Sequence, residues 1–99
     1  MEVLKVSTKD PIQLRDDINQ KIRSNEIRSW KYDESDHVIS HKGDQYKDHF
    51  YFEYKIDADR GILEFELHSD GNQFAESRAF QLLERMLKSH FSSRIEVLR

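Results

Sequence analysis

Apolar and polar positions along this chain change period several times, and each change marks a structural boundary. Glu2 to Ser7 (EVLKVS) is short and rich in Val and Leu, a strand pattern. Asp10-Pro11-Ile12-Gln13 then offers an N-cap acceptor, a proline suited to the first helical position and a glutamine placed to complete a capping box. Leu14, Ile18 and Ile22 follow at four-residue spacing, which predicts a helix burying one narrow stripe. Ser24-Asn25 ends it, because Asn tolerates the left-handed conformation that follows a helix.

From Glu26 the period is two, with Arg28, Trp30 and Tyr32 on one face of a predicted strand. Asp33 to Asp36 reads as a turn, His37 to His41 as a short strand, Lys42 to Asp44 as a break and Gln45 to Lys47 as a single helical turn. His49 to Ile56 and Ile62 to His68 are the clearest alternating strands and predict an antiparallel hairpin across Asp57 to Gly61. A shared apolar side allows Tyr54 to face either Leu63 or Phe65, whereas a one-residue slip would bury glutamates. Ser69 to Asn72 supplies a loop and cap. Gln73 to Phe91 then carries a wide apolar helical face, including Ala75, Ala79, Leu83 and Leu87. Arg94 to Arg99 alternates like a final strand.

The resulting order is β-α-β-β-β-β-α-β in one domain spanning residues 1–99. It implies an α+β fold, a mainly antiparallel sheet with two helices on one face. A ferredoxin-like β-α-β-β-α-β arrangement is the alternative, but the stretch between the helices holds more strand than that fold requires.

Composition narrows the functional classes. With 36% hydrophobic and 35% charged residues the core is expected to be thin, and the absence of cysteine removes disulfides, thiolate zinc sites and thiol catalysis. The chain shows no apolar run long enough for a signal peptide or membrane span, so a cytoplasmic protein without membrane contact is expected. A net charge of −3, with both signs interspersed, argues against nucleic-acid binding. The most basic group, Lys21, Arg23, Arg28 and Lys31, is interrupted by Glu26 and flanked by Asp16 and Asp17.

No phosphate-binding glycine loop, nucleophile elbow or metalloprotease motif is present, and no cofactor is expected. His37 and His41 are too far apart on a strand to share an ion. One hairpin register would set His49 opposite His68, with Glu53 facing Glu64, as a potential metal site. The other pairs Lys55 with Glu64, and electrostatics favours it. A solvated sheet face without metal dependence is therefore expected. The adjacent Asp16 and Asp17 diverge on a helix and read as a solvated face.

Trp30-Lys31-Tyr32-Asp33, then Ser40-His41, then Gln45-Tyr46 resembles small bacterial hypothetical proteins that read W-x-Y-D, T-H and Q-W, here with Ser40 for threonine and Tyr46 for tryptophan. The resemblance implies a fold rather than an activity, and it places a binding site at Trp30, Tyr32, Asp33, His41 and Tyr46.

The favoured reading is a small non-enzymatic protein-interaction or binding module. The alternatives are a small enzyme or ligand-binding domain using His41 and Asp33 near Trp30 and Tyr46, or an antitoxin-like inhibitor of a partner protein. Self-association as a homodimer is expected through a sheet face centred on Tyr51 and Ile62, or through edge strands.

Overall fold

In the computed structural model, which describes residues 2–35 and 37–98, the elements follow the predicted order. They are β1 (Val3–Ser7), α1 (Pro11–Arg23), β2 (Trp30–Asp33), β3 (Val38–His41), β4 (Phe50–Asp57), β5 (Ile62–Ser69), α2 (Gln73–Phe91) and β6 (Glu96–Leu98). Asp36 of the predicted turn and Arg99 of the predicted last strand lie outside the described residues. The strands form one six-stranded sheet in the order β2-β3-β4-β5-β1-β6, and each neighbouring pair is antiparallel. The sheet is thus α+β in class, without the ferredoxin-like strand set.

Alternation sorts the sheet into two faces. Val6, Ile39, Phe52, Leu63 and Phe65 are fully buried, and they meet Leu14 and Ile18 of α1 and Leu83 and Leu87 of α2 in one cluster. The helices therefore cover this face, and among the described residues no helix covers the other.

Helix α1 starts where the sequence places it. Asp10 Oδ1 accepts a hydrogen bond from the Gln13 backbone N–H at 3.0 Å, with Pro11 in the first turn. The reciprocal half of the capping box, in which the Gln13 side-chain oxygen would accept from the Asp10 N–H, is not formed; the Gln13 side chain runs along the helix, where its Nε2 donates to Asp17 Oδ1 at 2.8 Å. Asn25 takes the left-handed conformation, φ 67°, just beyond the helix. Replacing Asp10 with Ala is expected to cost about 1 kcal/mol. Urea unfolding should show a lower midpoint with an unchanged slope, and an unaltered midpoint would show that the cap contributes nothing.

The β4–β5 hairpin adopts the register that pairs Tyr54 with Phe65 and Lys55 with Glu64. His49 therefore lies beyond the strand, opposite Asp70 rather than His68. This register does not remove opposing glutamates as the charge argument expected. It moves them, so that Glu53 faces Glu66. The hairpin turn ends at Gly61, whose φ of +65° and close approach to β1 both demand glycine. A Cβ there would lie 2.7 Å from the Thr8 carbonyl oxygen, and the Thr8 N–H donates to the Gly61 carbonyl at 2.8 Å.

Candidate functional sites on the two sheet faces

Of the five residues in the predicted site, Trp30, His41 and Tyr46 come together. Trp30 pairs with His41 across β2 and β3, and their rings meet edge-on with centroids 5.2 Å apart. Tyr46 also packs edge-on against His41 at 5.1 Å and stacks on Phe74 at 5.9 Å. The loop after β3 makes one helical turn, with the Tyr46 and Lys47 N–H groups both donating to the Gly43 carbonyl. The Gly43 N–H donates to His41 Nδ1 at 2.9 Å, which leaves Nε2 carrying the proton of a neutral ring. Burial pushes the His41 imidazole below its ordinary pKa, which favours the neutral ring.

Tyr32 and Asp33 do not join this group. Tyr32 lies along the same face but packs on Tyr54 and under the Arg23 guanidinium. Asp33 pairs with Val38 on the opposite face, where its Oδ1 accepts from the Ser35 N–H at 2.9 Å. The expected His41–Asp33 acid-base pair is therefore not formed, because Asp33 lies three residues along β2 from Trp30, the partner of His41, and an odd step along a strand turns a side chain to the other face.

Beside Trp30 and His41 lies a cleft of about 180 Å³ between the start of β2 and α2. Its ionisable lining residues are Arg28, Arg85, His41 and His90, with no carboxylate among them. Among the described residues, Arg28 and Arg85 have no ion-pair partner.

The uncovered face carries a ladder of polar pairs along β4 and β5. His49 Nδ1 lies 2.7 Å from Asp70 Oδ2, and this contact, helped by the Asn72 N–H, holds the Asp70 carboxyl below its usual range. In the next row Tyr51 stacks on His68, with centroids 4.8 Å apart and planes 10° from parallel. His68 Nε2 sits 3.1 Å from Glu53 Oε1 and 3.2 Å from Glu66 Oε1. Glu66, only 7% exposed, also receives Lys55 Nζ at 2.9 Å on Oε2. That ammonium group lowers the Glu66 carboxyl pKa, and the carboxylate raises that of Lys55. Sequence reasoning missed this cluster. Only the hairpin register brings its members together, and the signal was a choice between two registers.

Charge is also segregated by face. Outward positions of the described strands present Asp33, Glu53, Asp57, Glu64, Glu66 and Glu96. Lys5, Lys31 and Lys55 stand among them. With histidines neutral, six carboxylates against three lysines give these strand positions an excess of three negative charges, and Asp70 at the end of the ladder adds a fourth. Tyr51, Val3 and Leu98, each about two-fifths exposed, supply apolar points on the same face, and Ile62 lies there half-buried. No helix is long and apolar enough to cross a membrane among the described residues. Compared with known protein families, curated proteins and solved structures, the chain gives no match.

Proposed function

We propose that this protein is a non-enzymatic interaction module whose uncovered sheet face binds a partner protein with a basic surface. The observation that carries the reading is the concentration of the chain's excess negative charge on that face, around the stacked Tyr51 and His68. Complementary charge steers such a partner in and disfavours wrong ones, while exposed aromatic area supplies contact. The antitoxin-like inhibitor is one form of this reading, since a protein that handles nucleic acid carries a basic surface of this kind.

A second copy is the less suitable occupant. Apposing two such faces brings like charges together, so no dimer that depends on Tyr51 is expected in sedimentation at several micromolar concentrations. A dimer lost on Tyr51→Glu would replace the basic partner with a second copy.

The direct test compares salt-dependent capture of basic proteins by the wild type and by Glu53→Lys/Glu64→Lys. The reversal variant is expected to lose the captured partner at low salt, with its circular dichroism unchanged. Equal capture by both would overturn the assignment. The basic cleft beside Trp30 favours a second reading, a ligand-binding domain for a small anion. A rise in melting temperature with inorganic phosphate, abolished in Arg28→Ser/Arg85→Ser, would support it.

A further inference from the structure

Glu53 and Glu66 face each other directly across β4 and β5, and one of them has a side chain only 9% exposed. Opposed carboxylates on a sheet repel, and a buried one requires a compensating cation. Lys55 supplies this at Glu66 Oε2, but the two Oε1 atoms both turn to a single nitrogen, His68 Nε2. A protonated imidazole brings only one N–H to the two oxygens, and a neutral ring protonated on Nδ1 brings none.

The spacing suits a metal ion at the centre of the triangle. Donors about 2.0–2.2 Å from a tetrahedral zinc ion stand roughly 3.4 Å from one another. His68 Nε2 is 3.1 Å and 3.2 Å from the two oxygens, and all three donor atoms lie within 4.8 Å of one another. Two edges of the triangle are thus nearly correct. The third closes by rotation of Glu53, whose side chain is 42% exposed.

We propose that Glu53, Glu66 and His68 form a binding site for one divalent transition-metal ion, with zinc the expected occupant. One imidazole and two carboxylates form a borderline donor set that suits zinc and its first-row neighbours. Three protein donors fall short of the six to eight oxygens that calcium takes. Tyr51, stacked on His68, and Lys55, bonded to the other oxygen of Glu66, are positioning residues that fix the ring plane and one carboxylate. Glu53 and His68 also line a surface depression together with Val38, Ser40 and His49, which would give an ion held there access to solvent. This inference does not depend on the partner reading, and it reverses the sequence-based expectation of no metal response.

The untagged full chain, stripped with chelator and dialysed, is titrated calorimetrically with zinc chloride. One ion per chain is expected, with affinity at least tenfold weaker in Glu53→Gln and in His68→Asn. His49→Asn, which alters the neighbouring imidazole on the same face, is expected to bind like the wild type. Cobalt(II) should give a visible absorption band that His68→Asn removes. Circular dichroism of each variant establishes that it is folded. No binding by the folded wild type would overturn the proposal. So would unchanged affinity in Glu53→Gln and His68→Asn, or an equal loss in His49→Asn, which would move the ion to another donor set.

Discussion

Replacing Phe52 with Ala is expected to destabilise the protein by about 3–5 kcal/mol, from lost burial and the cavity left behind. Phe52 is completely buried near the centre of the sheet, where its ring meets Trp30 at 6.1 Å, Phe50 at 5.7 Å and Phe80 at 5.5 Å. These neighbours come from β2, β4 and α2, so truncation loosens both layers at once. A small domain has about 5–15 kcal/mol in total, and the variant should therefore unfold at markedly lower urea. Tyr51→Ala is the matched control. Tyr51 is the next residue, points to the uncovered face and is 42% exposed, so its loss is expected to cost under about 1 kcal/mol. Equal midpoints for the two variants would refute the assignment of faces.

The second large effect concerns a buried hydrogen bond between the layers. Tyr54 Oη donates to Asn19 Oδ1 at 3.0 Å, with residue exposures of 9% and 6%. Burial pushes the Tyr54 hydroxyl well above its ordinary pKa, so it remains a donor throughout the neutral range. Tyr54→Phe leaves the Asn19 oxygen buried without its donor and is expected to cost about 1–3 kcal/mol. Adding Asn19→Leu removes the stranded acceptor and should recover much of that loss. A double-mutant cycle by urea unfolding should give a coupling of about 1 kcal/mol or more. Additive effects would show that the bond does not hold α1 on the sheet.

The element order was legible in the sequence because each segment's local signals agreed with its final place. Asp10 and Pro11 open α1, Asn25 follows its end, and alternation in β4 and β5 separates buried Phe52 and Phe65 from Tyr51 and Glu64. The candidate sites were less legible because they depend on pairing. Trp30 and His41 share a row, as the predicted site required, but Asp33 falls on the other face. Asn19 also escaped notice, since a polar residue on a solvent-facing helical pattern gives no sign that Tyr54 will reach it. Glu53, Glu66 and His68 converge only in one of two registers that bury the same apolar residues. Hydrophobic period selects a face, whereas register selects the neighbours on it. Charge segregation was hidden for the same reason. Acids and bases alternate along the chain, and only folding into a sheet sorts them.

Strand β1 lies between β5 and β6, so the first strand of the chain is flanked by the fifth and the last. The β4–β5 hairpin can close over a short loop, but β1 must find Leu63 and Phe65 across more than half of the chain. Loop-closure entropy makes such pairing a late and slow event relative to a local hairpin. The edge strand β6, with only three residues, has no ladder to join until β1 has docked. This topology predicts a polarised assembly, with a nucleus at the β4–β5 hairpin and the β1–β6 edge completed last, which φ-values from variants in β5 and β6 would check. Glu53, Glu66 and His68 all belong to the β4–β5 hairpin, so on this expectation their juxtaposition arises with the nucleus rather than with the closing edge.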